Sequence, residues 1–319
     1  MMGLTALPNS YELNLGMCGM HGKYGASKAQ SECDLMVAVG VRFSDRATGN
    51  IEEYRKNHTI IHIDIDLAEI DKNVSTQIDL CGDAKAILTA LLSEIPAMKK
   101  EQWLQEVKGY MAQDQTAPSE DFTPRNIIRA VNCFCGNDTV IATDVGQHQM
   151  WITLYYPFEK PRTLLTSGGL GAMGYGMGAA IGGCMATDNR RTVLFTGDGS
   201  FGMNLTELAT AVTQKLPLVI VVMDNGVLGM VRQWQTLFYE ARYSQTSPNR
   251  KTDFAAVAEA FGAEGRTATS LAELQDVLND LDNTVPAGPT VIHCRIDPDE
   301  KVLPMIPPGG SIKNIVVKE

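Results

Sequence analysis

Two uninterrupted apolar runs, each closed by a glycine-bearing turn, constrain this chain more than any other feature. Thr192 to Thr196 is β-branched and aromatic and stops at Gly197-Asp198-Gly199. Leu218 to Val222 is aliphatic throughout and stops at Asp224-Asn225-Gly226. Between them Leu205, Leu208, Ala209 and Val212 recur at helical spacing. Strand, turn, helix, strand, turn is the order of a parallel crossover unit. Strands with no polar face are those covered by helices on both sides. The fold class is therefore α/β, with parallel sheets.

In such sheets ligands bind beyond the carboxyl ends of the strands. Asp198 and Asn225 sit at two such ends, 27 positions apart, which is one crossover. A carboxylate and an amide oxygen facing one cleft suit a hard cation such as Mg²⁺, which takes its other ligands from phosphate or water. The flanking glycines let backbone approach a phosphate, and the helix that follows favours its charge. The residues read as a Mg²⁺–diphosphate site. Asp-Gly and Asn-Gly steps also serve plain turns, and on three residues alone the plain turn is the better reading.

The longer context decides. Gly197-Asp198-Gly199 followed one crossover later by Asp224-Asn225 resembles the thiamine-diphosphate motif, with Asp224 in place of its first asparagine. The run Leu228-Gly229-Met230-Val231-Arg232-Gln233-Trp234-Gln235 is similar to the large catalytic subunits of acetolactate synthases. The resemblance implies thiamine diphosphate and Mg²⁺, with the metal on Asp198, Asn225 and Val227. It implies cofactor contacts at Gly146, Gln147, His148, Gly171, Met173, Gly199, Ser200 and Met230. Met173 is expected to wedge beneath the thiazolium ring, for which an adaptable thioether is suited. Trp234 is expected to select the acceptor substrate.

The first ninety residues carry further strands, Leu35 to Phe43, Thr59 to Asp66 and Gln77 to Cys81. Ile87, Leu88, Leu91, Leu92 and Ile95 form a helical stripe. Met20-His21-Gly22, Gly40 to Gly49 and His62 to Asp66 are similar to the central, FAD-binding domain of the same family. That resemblance implies flavin contacts at Met20, His21, Gly40, Val41, Arg42, Asp64, Ile65, Asp83 and Ala84. It also puts Arg46 on the carboxylate of the second substrate, beside Met20; a guanidinium suits such a group. The expected division is a partial central domain over 1–95, a helical linker over 96–124 with Pro118-Ser119 near its end, and a thiamine-diphosphate domain with a tail over 125–319.

Composition narrows the partners. The net charge is −10 with no long basic cluster, which disfavours nucleic acid and anionic membrane. Seven cysteines with no repeated Cys-x-x-Cys read as free thiols in a reducing cytoplasm. Thr163 to Thr187 carries no charged side chain and contains Gly174-x-x-x-Gly178-x-x-x-Gly182, a membrane-like spacing. Eight glycines between Gly168 and Gly183 make it too poor in large aliphatics to span, so a helix packed on a sheet is expected.

The implied reaction is decarboxylation of pyruvate and transfer of the two-carbon unit to pyruvate or 2-ketobutyrate, in branched-chain amino-acid biosynthesis. No catalytic residue is assigned in this chain, because nothing here matches the family domain whose glutamate activates the cofactor. The chain reads as a C-terminal portion, incomplete and inactive alone. Expected partners are a second copy or a complementing N-terminal chain, and a small regulatory subunit. Rival readings are another thiamine-diphosphate enzyme, such as a pyruvate oxidase or glyoxylate carboligase, and a non-catalytic cofactor-binding module.

Overall fold

The computed structural model describes residues 1–114, 117, 119–188, 190–283 and 287–317. Contacts divide the chain into two units: Leu15–Thr116 with Leu303–Glu319, and Met1–Asn14 with Ala117–Val302. Each is described by itself.

The smaller unit runs α1 (Tyr24–Glu32), β1 (Leu35–Val39), α2 (Asp45–Thr48), α3 (Ile51–Arg55), β2 (Thr59–Asp64), β3 (Ile78–Cys81), α4 (Ala84–Glu94) and α5 (Glu101–Met111). The three strands form a parallel sheet in the order β1-β2-β3. β1 ends earlier than its apolar run suggests because Gly40 turns the chain with φ +63 and Phe43 follows at φ 48. β2 ends at Asp64, whose Oδ1 accepts the Asp66 amide at 2.9 Å and closes a turn. Ala38, Phe43, Ile60 and Val74 form the core of the unit, with Met36, Val41 and Tyr54 packed on it. The opposite face of β1 is bare: Leu35, Val37 and Val39 are exposed. The α4 stripe is not buried either, and Leu92 stays 79% exposed.

The larger unit runs α6 (Pro124–Phe134), β4 (Val140–Thr143), α7 (Gln147–Tyr155), β5 (Leu164–Thr166), α8 (Tyr175–Ala186), β6 (Thr192–Gly197), α9 (Asp198–Asn204), α10 (Leu208–Thr213), β7 (Leu218–Asp224), α11 (Gly229–Phe238), α12 (Phe254–Ala260), β8 (Glu264–Ala268), α13 (Leu271–Asn283) and β9 (Thr290–Arg295). Six parallel strands lie in the order β5-β4-β6-β7-β9-β8. Every residue of β6 and all of β7 except Asp224 is buried, as their unbroken apolar sequence requires. Phe195, Phe201, Leu194, Leu208, Ile220 and Phe254 are among the buried side chains that join sheet to helices. Of the expected stripe after β6, Leu208 is buried but Ala209 is exposed; Ala211 takes the inward position. Thr123 caps α6 through the Asn126 amide, with Pro124 as its first residue.

The glycine-rich segment is not one long helix. It is β5, a loop and the twelve-residue α8. The glycines that let α8 approach the sheet are Gly176 and Gly183, where a Cβ would lie 2.8 Å from Leu194 and 2.9 Å from Leu165 respectively. Gly178 and Gly182 of the membrane-like spacing face open space. Among the described residues no helix is long and apolar enough to cross a membrane.

The contact division differs from the boundaries read from sequence. Residues 1–14 group with the larger unit: Asn9 donates to Phe158 O at 2.8 Å, and Ser10 Oγ to Glu159 at 2.6 Å. α5, expected as linker, packs on α1, where a Cβ on Gly25 would be 2.7 Å from Met111 Cα. Asp114 then accepts the Tyr24 and Gly25 amides at 2.7 and 2.9 Å. The tail groups with the smaller unit through Ile306 N to Met20 O, Asn50 N to Gly310 O and the Lys313–Glu53 ion pair. Pro118, expected near the linker's end, lies outside the described residues.

Candidate functional site

The strand order of the larger unit reverses at β4 and again where β9 lies between β7 and β8. β4 is followed by β5 on one side and by β6 on the other, which opens a crevice beyond their carboxyl ends. The residues after β4 are Asp144 to His148, and those after β6 begin with Asp198. β7 lies beside β6 with Gly197 opposite Met223, so the Asp198 and Asn225 turns emerge side by side.

Asp198 is the first residue of α9 and is 3% exposed. Its Oδ2 is buried with no hydrogen-bond partner. Burial, and then the Asp224 carboxylate, push its pKa up to about 6. A buried carboxylate with a free oxygen and a second anion nearby is the chemistry a cation relieves. Ser200 Oγ donates to Val145 O at 2.7 Å and ties the start of α9 to the turn after β4.

Asn225 follows β7 in a turn completed by Gly226 at φ +67. Its Oδ1 accepts the Val227 amide at 3.2 Å, which fixes the side chain toward the turn. Its Nδ2 donates to Gln147 Oε1 at 3.1 Å. Gln147 Nε2 in turn donates to Gln233 Oε1 at 3.0 Å and Glu300 O at 2.8 Å. One glutamine thus joins the ends of β4 and β7, α11 and the segment after β9. Gly229 permits this: a Cβ there would overlap Gln147 Oε1 and lie 2.6 Å from Asn225 Nδ2.

His148 lies under the same turns. A Cβ on Gly197 would be 3.1 Å from its Nδ1, and one on Gly146 would be 2.8 Å from its Cε1. Its Nε2 is buried without a partner. Met173 is 39% exposed, and its methyl is 3.6 Å from where a Gly199 Cβ would be. Gly171 and Gly174 hold the loop before α8 at φ +65 and +86, and Asp144 Oδ1 accepts the Gly174 amide at 2.8 Å. The expected residues Gln147, His148, Met173, Asp198, Gly199, Ser200 and Asn225 therefore share one end of one sheet. Val227 and Met230 follow directly in the same turn and the start of α11.

In the smaller unit, Gly40, Asp64 with Ile65, and Asp83 with Ala84 stand at the carboxyl ends of β1, β2 and β3 respectively. Asp83 is occupied as the N-cap of α4, accepting the Ala86 amide at 2.9 Å. Ile65 is 74% exposed. The Met20 amide donates to Arg46 O at 2.8 Å, so these two expected substrate residues adjoin. Burial, with the Arg46 charge, lowers the His21 pKa to about 4. Trp234, the third expected substrate residue, is on α11 of the larger unit, edge-to-face with Phe238 at 5.8 Å.

Residues 144–294 match the family described as thiamine pyrophosphate enzyme, C-terminal TPP binding domain, and residues 1–91 match thiamine pyrophosphate enzyme, central domain. The chain belongs to the thiamine pyrophosphate enzymes. This thiamine pyrophosphate enzyme chain is 40% identical to the probable acetolactate synthase large subunit of Methanocaldococcus jannaschii, over 99% of its own length and 55% of the relative's. It is 39% identical to the acetolactate synthase isozyme 2 large subunit of Escherichia coli, over 99% and 57%. It is 39% identical to the isozyme 1 large subunit of the same organism, over 99% and 56%. It spans just over half the length of these relatives.

Three residues of the thiamine pyrophosphate domain were not singled out by sequence. Gln233 is 2% exposed and bonds Val302 through both amide and carbonyl, at 3.0 and 2.8 Å. Its neighbours Arg232, Gln235 and Thr236 are polar too, so nothing in the local pattern marks it as buried. Arg250 donates to Asp198 O at 2.8 Å from a polar segment that has no periodicity to read. Asp144 pins both β4 and the loop before α8, and resembles any strand-end aspartate.

The buried His148 makes this domain acid-sensitive. Burial lowers its pKa to about 3. Below its ordinary value near 6.5 the unfolded chain binds a proton that the folded chain refuses, so stability falls as pH drops. Between pH 7 and pH 5 the loss is about 2 kcal/mol from this one group. Urea unfolding at the two pH values is expected to show a pH dependence smaller by about that amount in His148→Gln than in the parent chain.

Proposed function

We propose that this chain carries the diphosphate-binding part of an acetolactate synthase, which joins a two-carbon unit from pyruvate to pyruvate or 2-ketobutyrate. The observation that carries the reading is the buried, unpartnered Asp198 oxygen beside the Asn225 turn, on neighbouring parallel strands. Asp198, Asn225 and the Val227 backbone would hold Mg²⁺, and the Mg²⁺ would hold the diphosphate of the cofactor. Thiamine diphosphate held there would supply the carbanion chemistry that decarboxylation of a 2-keto acid needs.

The chain's own groups bind and orient. Gln147 and His148 face the diphosphate, and the orphaned His148 Nε2 is free to meet it. Ser200, Gly199, Gly146, Gly171 and Met230 line the approach, and Met173 supports the ring. Met20 and Arg46 are assigned as substrate residues of the smaller unit, Arg46 for a carboxylate, and Trp234 as a substrate residue of the larger unit. FAD is proposed at the strand ends of the smaller unit, on Met20, His21, Gly40, Val41, Arg42, Asp64, Ile65, Asp83 and Ala84. Activation of the cofactor is assigned to a glutamate that a complementing N-terminal chain carries. A small regulatory subunit and a cytoplasmic location belong to the same reading.

Isothermal titration of the purified chain with thiamine diphosphate tests it. Binding is expected with Mg²⁺ and not with EDTA. Mixing with glutamate-bearing N-terminal segments of related enzymes is then expected to release CO₂ from pyruvate and form acetolactate. Absence of Mg²⁺-dependent binding overturns the cofactor site; tartronate semialdehyde or acetate as product overturns the substrate assignment.

A further inference from the structure

The turn that presents Asn225 is built on its neighbour. Asp224 stands where the thiamine motif has an asparagine, and in this chain that carboxylate has a dedicated partner. β7 and β9 are adjacent and parallel, with Val222 opposite His293. Val222 and Asp224 share one face of β7, two residues apart. The imidazole on the neighbouring strand therefore reaches forward to the carboxylate, and His293 Nε2 lies 2.7 Å from Asp224 Oδ2.

Both carboxylate oxygens are used. Oδ1 accepts the Gly226 amide at 2.9 Å and closes the turn around Asn225. Oδ2 is engaged by the ring. The Asp224 carbonyl also accepts the Ile296 amide at 2.9 Å, so the strand end is tied to the chain leaving β9. His293 has no freedom of its own. It is fully buried, meets the Phe254 ring edge-to-face at 5.3 Å, and has Nδ1 3.7 Å from Oδ1 of Asp253. Asp253 is itself fixed as the N-cap of α12 through the Ala255 and Ala256 amides. The ring is wedged between β7, β9 and α12.

A second carboxylate beside a cation site creates a conflict. Asp224 is near enough to Asp198 to raise its pKa, and a free carboxylate oxygen there would compete with Asn225 for the metal. An asparagine in the same position poses no such problem. An imidazole that holds one oxygen, and a backbone amide that holds the other, remove the conflict while keeping the turn closed.

We propose that Asp224 and His293 act as a coupled positioning pair for the Asn225 turn, the imidazole holding the carboxylate in the role an asparagine fills elsewhere and out of the metal's coordination. The proposal rests on the Mg²⁺–diphosphate reading of the site, but its first readout does not. Amide hydrogen exchange of Gly226 and Val227 is measured in the full chain without ligand. His293→Leu is expected to accelerate both at least tenfold. Asp224→Asn combined with His293→Leu is expected to return them to within about threefold of the parent, since a neutral amide needs no imidazole. The second readout is Mg²⁺ affinity in the presence of thiamine diphosphate, by calorimetry. It is expected to fall at least tenfold in His293→Leu and to recover in the double variant, a size typical of groups that orient a ligand.

Unchanged exchange in His293→Leu, or a double variant as impaired as the single, overturns the coupling. Should His293→Leu not fold, Asp224→Ala carries the test: the same two amides accelerate at least tenfold, and unchanged exchange overturns the proposal. A parent chain that shows the exchange coupling but binds no thiamine diphosphate with Mg²⁺ overturns the reading of the site instead, and the pair's role toward a metal with it.

Discussion

Replacing Asp198 by asparagine is expected to weaken Mg²⁺-dependent thiamine diphosphate binding at least ~100-fold, while leaving the fold as stable as before or more so. The substitution is isosteric; it removes the charge and turns one acceptor oxygen into an amide donor. The side chain is 3% exposed and one oxygen has no protein partner, so no internal hydrogen bond depends on that atom. Its carboxylate is raised to about 6 by burial and by Asp224, which means the ionised form is costly at neutral pH without a cation. Asparagine removes that cost and the metal's anionic ligand together. Calorimetry should therefore show binding lost, and a thermal melt without ligand should show a midpoint unchanged or higher. A variant that unfolds, or one that still binds with Mg²⁺, contradicts the assignment.

Gly229→Ala is the second large effect, with cofactor affinity expected to fall on the order of 100-fold. The added methyl overlaps Gln147 Oε1 and crowds Asn225 Nδ2. Those two atoms form the hydrogen bond that links the β4 and β7 turns. Gln147 cannot retreat easily, because its amide is held by Gln233 and by Glu300 O. Displacement therefore passes to Asn225 and to the helix start. Far-UV circular dichroism should stay that of the parent, since Gly229 is the first residue of α11 and not within the sheet. Calorimetry reads the affinity, and a change under threefold would mean the network is not needed.

The chemistry-bearing turns are legible in the sequence because their signal is local. Asp198 and Asn225 each end an apolar run, and glycines mark the turns, so the residues alone place both at strand ends. The same holds for β1 and β2, although each stops short of its apolar run, at Gly40 and at the turn closed by Asp64. β8 is not legible in this way. Glu264 to Ala268 is polar and small, with only Ala268 buried, and it is a strand because β9 pairs with it. Arg250 carries no pattern. The Asp224–His293 contact joins positions 69 apart and exists because β9 and not β8 lies beside β7. Strand order is a property of the packed sheet, and no window of sequence contains it. The domain boundaries differ for a related reason: α5, residues 1–14 and the tail are assigned by what they pack on, which local composition does not state.

The crossover order of the larger sheet also has a kinetic consequence. Gln147 meets Asn225 across 78 positions and Glu300 across 153. Such closures are slow, because the chain entropy of a long loop is lost before the contact returns anything. The crevice cannot exist in part: until β9 is seated beside β7, Gln147 lacks its outer anchor and the β7 turn lacks its brace. Competence to hold a ligand therefore depends on the longest-range contacts named for this domain, and a ligand that binds only the finished crevice stabilises the folded chain by mass action.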